Sequence, residues 1–167
     1  MPAVVRLESA DLVPYAIANG FNRAAMQMKN FLIVFGVGLG LLAPANAADY
    51  ASQISAYRRA NGLSSVQTDS RLTAVALHQA RAMASGGTVS HTVGGSFTTR
   101  VAGLRKSRAA ENIAAGFRTF AETFQQWKDS PGHRENLLMP GAKKVGVASV
   151  ANPASPYRVF WAMIISD

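Results

Sequence analysis

The sequence predicts an α+β domain of layered helices and sheet behind a leader. Helical periodicity recurs between residues 49 and 139, β-prone runs are confined to 143–167, and no βαβ alternation joins the two. A chain of 167 residues suits one domain with a sizeable core. Hydrophobic residues at 49% against 16% charged exclude bulk disorder.

Residues 28–50 read MKNFLIVFGVGLGLLAPANAADY. Lys29 gives a positive start, 31–42 is uncharged, and Ala45 and Ala47 bracket Asn46. Charge, short apolar run and small-residue site together make an export signal at 28–47, and the run is too short to span a bilayer comfortably. Cleavage is expected after Ala47. Residues 1–27 then read as a misassigned start or a long n-region, with Met26 and Met28 as alternative starts. The expected product, 48–167, is secreted or periplasmic and meets the membrane only during export. It keeps 14 Lys and Arg against 7 Asp and Glu, a formal charge of +7 out of the whole chain's +8.

From the leader onward, the elements follow in order. Asp49 is a candidate N-cap for a helix to about Arg59, with Tyr50, Ile54 and Tyr57 on one face and Asn61-Gly62 as the stop. LSSVQTDS, 63–70, is a connection. RLTAVALHQARAMASGG, 71–87, is a helix capped by Asp69 or Ser70, with Leu72, Val75, Ala76, Gln79, Ala80 and Met83 at helical spacing. Residues 85–110 are loop-rich, with one short helical face at Phe97, Val101 and Leu104. RTFAETFQQW, 118–127, carries the stripe Phe120, Phe124, Trp127, which core packing explains. In DSPGHRENL, 129–137, Ser130 stands at an N-cap, Pro131 at N1 and His133 at N3 of a short helix. The positive end of a helix disfavours imidazolium there. KKVGVASV and YRVFWAMIISD, separated by the turn ANPASP, form an antiparallel pair.

Several chemistries are excluded by residue content. No cysteine is present, so disulfides, thiol nucleophiles and thiolate metal ligands are absent. Neither G-x-S-x-G nor H-E-x-x-H occurs. GVGLG, 36–40, lies in the export segment and lacks the context of a phosphate loop. Basic residues are scattered apart from RKSR at 105–108, without zinc-finger spacing or RNA-binding aromatics, so nucleic acid is not an expected partner. His78 reads as a partly exposed helical histidine. His91 and His133 lie in polar loops or helix starts, with Glu111 between them. Two imidazoles and a carboxylate are a possible zinc set with an open water position. Two surface histidines and a capping carboxylate are the alternative.

Four stretches in order resemble the CAP superfamily, or SCP domains, in its bacterial cysteine-free branch: LTAVALHQARAMASGGTVSH, AAENIAAG, WKDSPGHRENLLMP, and the closing KKVGVASV with YRVFWAMI. The superfamily includes cysteine-rich secretory proteins, antigen 5 and pathogenesis-related 1 proteins. The likeness covers about residues 50–165. It implies a three-layer α-β-α sandwich and a cleft site at His91, Glu111 and His133. The second site glutamate of eukaryotic members falls near Ser130 here, and Glu122 does not align with it, so the site is reduced.

Three functional readings follow. The first is a binding module for a ligand, lipid, envelope component or protein. The second is a peptidase or esterase in which His91 and His133 hold zinc or another divalent cation and Glu111 acts on water. The third is a buried polar network joined by Asn112, Ser130 and Asn136.

Overall fold

The computed structural model describes residues 47–167 and, as backbone alone, 4–6. Apart from Ala47, the leader expected at 28–47 lies outside the described residues, as does 7–27. Strand β1 is Val4–Arg6, helix α1 Ala47–Ala60, β2 Gln67–Thr68 and α2 Ser70–Gly86. Then come α3 (Phe97–Val101) with a 3-10 turn at Ala102–Leu104, β3 (Arg108–Ala115), α4 (Phe120–Asp129) and α5 (Pro131–Leu137). Strands β4 (Lys144–Asn152) and β5 (Arg158–Ser166) close the chain.

One five-stranded sheet runs in the order β1-β3-β5-β4-β2. The central strand β5 pairs antiparallel with β3 and with β4, while β1 and β2 flank the sheet in parallel pairings. Alternate residues of a strand face opposite sides. Trp161, Met163 and Ile165 therefore join α1, α4 and α5, with Ile54, Phe120, Phe124, Trp127 and Leu137 among the contacts. Phe160, Ala162 and Ile164 join α2 and α3, with Leu72, Ala76, Ala80, Met83, Phe97 and Val101. Helices on both faces of one sheet make the three-layer α-β-α sandwich.

The helices end where their chemistry directs. Asp69 caps α2 by accepting the N–H groups of Arg71 and Leu72 at 2.8 and 3.2 Å. Gly87 closes it in the left-handed region, φ 60°, where a Cβ is disfavoured. Thr119 and Glu122 form a reciprocal capping box on α4. α1 begins at Ala47, so Asp49 lies inside the helix and is not its N-cap; its carboxylate accepts from Gln53 one turn on. Ser130 holds the N-cap position of α5, but its hydroxyl makes no capping bond. There Pro131 at N1 supplies the pre-set φ.

Strand β3 begins inside the stretch expected to be loop-rich, 85–110, and was not among the expected strands. Its residues, RAAENIAA, are buried on both faces from Ala109 to Ala114. A strand covered on both sides shows no period-two polarity, and Ala, Glu and Asn are weak strand formers. Tertiary pairing with all of β5 from Phe160 to Ser166 decides its state.

α2 lies directly on β4 at Gly146. A Cβ there would meet the Thr73 nitrogen and the Leu72 carbonyl carbon, so only glycine permits this approach. On the other face, the fully buried Arg58 of α1 braces the end of α5. Its Nη1 donates to the carbonyls of Leu137 and Met139 at 2.8 and 3.1 Å, and its Nε to Ser64 O at 2.9 Å. The short helix that carries His133 is thereby fixed at its C-terminal end. No helix among the described residues is long and apolar enough to cross a membrane.

Candidate functional site

The site is assembled around the middle of β3. Glu111 and Asn112 are neighbours on a strand, so their side chains leave opposite faces. Glu111 lies in parity with Ala109 and Ile113 on the α2/α3 side, and Asn112 faces α5.

His91 lies in the connection between α2 and α3, which three donors hold in place. Gln79, buried on α2, donates to Ser90 O at 2.5 Å. His78 Nε2 meets Gly94 O at 2.9 Å. Arg100, on α3, donates from Nη2 to His91 O at 2.9 Å and from Nε to Gly95 O at 3.1 Å. With the loop so fixed, the His91 ring Nδ1 donates to Glu111 Oε1 at 2.8 Å. That bond leaves Nε2 as the free end of the ring, and the side chain keeps 20% of its surface exposed.

Glu111 is wholly buried and its charge is matched by Arg100. The guanidinium is bidentate: Nη1 donates to Oε2 at 2.6 Å and Nη2 to Oε1 at 2.9 Å. The Arg100 side chain is 5% exposed and its guanidinium lies 5.6 Å over the Phe97 ring. This arginine is the functional residue that the sequence reading missed. It stands 9 residues from His91 and 11 from Glu111, at no motif spacing, and no local signal marks it.

His133 approaches from α5. Asn112 Nδ2 donates to its backbone carbonyl at 3.0 Å. Asn136 Nδ2 donates to Asn112 Oδ1 at 2.9 Å and to Glu111 O at 3.2 Å. These amides stitch α5 to β3. The His133 ring is buried, and neither ring nitrogen has a hydrogen-bond partner among the described residues. Burial, with the neighbouring His91 adding to it, pushes its pKa from 6.5 down to about 4, so at neutral pH it is an uncharged imidazole. Thus His91 and Glu111 are bonded directly and His133 lies in the electrostatic range of His91, while Ser130 makes no capping bond through its hydroxyl.

A divalent cation of the kind the family resemblance implies does not fit this donor set. Both oxygens of Glu111 are already engaged, and a guanidinium lies at hydrogen-bond distance from them. Among the described residues, no group of three or more His, Cys, Asp or Glu is arranged to hold a metal. What the cluster offers is a partly exposed, carboxylate-oriented His91 ring and, on α5, two unmet His133 nitrogens. A separate pocket of about 160 Å³ opens beside Asn136, walled by Arg108, Ala110, Glu135 and Met139 among others, and none of the His91, Glu111 and His133 side chains lines it.

The fold matches solved structures. An outer surface protein of Borrelia burgdorferi superposes with TM-score 0.63 at 21% identity, over 71% of this chain and 88% of that one. An extracellular SCP-domain protein of Bacillus anthracis gives 0.59 at 24% identity, over 76% and 44%. A cysteine-rich secretory protein of Staphylococcus aureus gives 0.59 at 15%, over 76% and 40%. In sequence, the Bacillus subtilis protein YkwD is 31% identical over 116 residues, which is 65% of this chain and 45% of YkwD. The chain therefore spans less than half the length of that relative. Residues 51–165 match the model of the CAP family, described as the cysteine-rich secretory protein family. The chain, though free of cysteine, belongs to the CAP family.

Proposed function

We propose that this chain is an exported binding protein whose ligand, a neutral hydroxyl- or amide-bearing component of the cell envelope, docks at His91 and His133. Glu111 orients the His91 ring and does not act on water. The observation that carries this reading is His133. A buried neutral imidazole offers one donor and one acceptor, and both are unmet among the described residues. An unmet buried polar group costs roughly 1–3 kcal/mol, which a polar guest recovers on binding. Export is supported by the leader pattern at 28–47 and by the structural neighbours, which are outer surface, extracellular and secretory proteins.

The hydrolase reading finds no such support. A general base needs a lone pair within reach of water, and the Glu111 side chain is wholly buried with both oxygens accepting from Arg100 or His91.

Titration calorimetry with solubilised envelope glycan tests the proposal. Wild type is expected to give saturable binding that H91A and H133A both lose while remaining folded by circular dichroism. Binding that survives both substitutions would remove the site from the reading. N-terminal sequencing of the exported protein tests the leader, with Ala48 as the expected first residue.

A further inference from the structure

We propose that Arg100 is a positioning residue that sets the hydrogen-bond polarity of the His91 ring. Its charge balances Glu111, so the outward Nε2 of His91 is left as a lone-pair acceptor and a ligand must bring a hydrogen-bond donor to it. The demand on the ligand rests on the binding role proposed above; the state of the ring does not.

Arginine carries donors only. Nη1 donates to Glu111 Oε2 at 2.6 Å and Nη2 to Oε1 at 2.9 Å, so both oxygens that face the guanidinium are acceptors. Oε1 also meets His91 Nδ1 at 2.8 Å, and an ionised oxygen can only accept there, which puts the ring proton on Nδ1. The charge pair is sealed: the Glu111 side chain is 0% exposed and that of Arg100 5%, so water screens it little. Among the described residues no other Lys or Arg side chain bonds to Glu111. His91 keeps 20% of its side-chain surface exposed, and with Nδ1 engaged its remaining polar atom is Nε2.

A buried carboxylate needs one positive partner or one proton. Arg100 meets that need, and Nε2 is not called on to carry a proton. Without the arginine, one proton enters from water. It rests on Glu111, which then donates it to a bare Nδ1, or on the ring, which becomes imidazolium. Either arrangement places an N–H at Nε2, because a neutral imidazole whose Nδ1 accepts holds its own proton on the other nitrogen. Removing the arginine therefore turns the outward nitrogen from acceptor to donor, wherever the extra proton lies. With Arg100 in place, a hydroxyl or amide N–H is received at His91, and a carboxylate or phosphodiester, which has only lone pairs to offer, is refused.

Two-dimensional ¹H–¹⁵N spectra of the imidazole rings in the ligand-free protein, at about pH 7.5 and assigned by the signals lost in H91A, provide the test. In wild type, His91 is expected to show a protonated Nδ1 and an Nε2 at the downfield position of a bare nitrogen. In R100M, Nε2 is expected to move upfield to the protonated position. R100K keeps the charge and loses the planar fork, and is expected to keep the wild-type pattern. An arginine that serves only to hold the His91 loop through its fork would not be replaced by lysine. Wild type with a protonated Nε2, a folded R100M with a bare one, or an R100K that switches as R100M does overturns the proposal. If R100M does not fold, wild type and R100K decide by the same criteria. No ligand is present in these spectra, so their outcome is separate from success or failure of envelope-glycan binding.

Discussion

Acidification is expected to destabilise this protein through His133. The ring is buried, 5% exposed, and takes up a proton only near pH 4 in the folded chain, against 6.5 ordinarily. Burial is the main cause, and His91 adds positive charge beside it. Between those two pH values the unfolded chain binds more protons than the folded one, so stability rises with pH across the window. It is fully present above 6.5 and is lost as pH falls toward 4. At about 1.4 kcal/mol per pH unit, the gap corresponds to about 3 kcal/mol, a large part of the stability of a domain this size. Urea unfolding followed by Trp fluorescence, at pH values spanning about 7 to 4, measures it in wild type and in His133→Leu. Leucine fills a similar volume and does not titrate. Since the His91–Glu111–Arg100 cluster is present in both proteins, the difference between their pH profiles isolates His133. Wild type is expected to lose about 3 kcal/mol more than the variant. Parallel profiles would refute the claim that a buried, unmet imidazole destabilises the fold on protonation.

Two further substitutions test what positions the site. Gly146→Ala puts a methyl against the backbone of Leu72 and Thr73, so α2 must lift from β4; overpacking against backbone costs about 3 kcal/mol or more, read as a melting temperature lower by roughly 10 °C, and an unchanged melt would show that the helix slides freely. Arg58→Met strands the carbonyls of Ser64, Leu137 and Met139, for an expected loss of about 3–5 kcal/mol and faster amide hydrogen exchange along α5. A loss below about 1 kcal/mol would mean that water replaces the guanidinium.

Legibility in the sequence followed the nature of each signal. The α2 helix was readable because Asp69, the apolar face from Leu72 to Met83 and Gly86-Gly87 are all local. The stripe Phe120, Phe124, Trp127 was readable for the same reason, and all three rings are buried. The β4–β5 pair declared itself through β-branched and aromatic runs around a turn. Strand β3 did not, because burial on both faces erases alternation and its residues are poor strand formers. Helix α1 starts at Ala47, three residues before the Tyr50 start that an Asp49 cap would give, since Asp49 reads equally as a cap and as a first-turn acid.

His91, Glu111 and His133 were singled out by residue type and family likeness, but their arrangement was not legible. The sequence by itself determined the layered α+β character, the lengths and faces of the main helices, the absence of thiol chemistry and the pool of candidate side chains. Each of those depends on neighbours within a few positions or on composition alone. Only the tertiary structure decided that Glu111 sits in a central strand, that Arg100 takes both its oxygens, and that His133 is left buried without a hydrogen-bond partner among the described residues. Those outcomes depend on groups brought together across the sheet and its loops, where burial and charge pairing, and not spacing along the chain, set the chemistry.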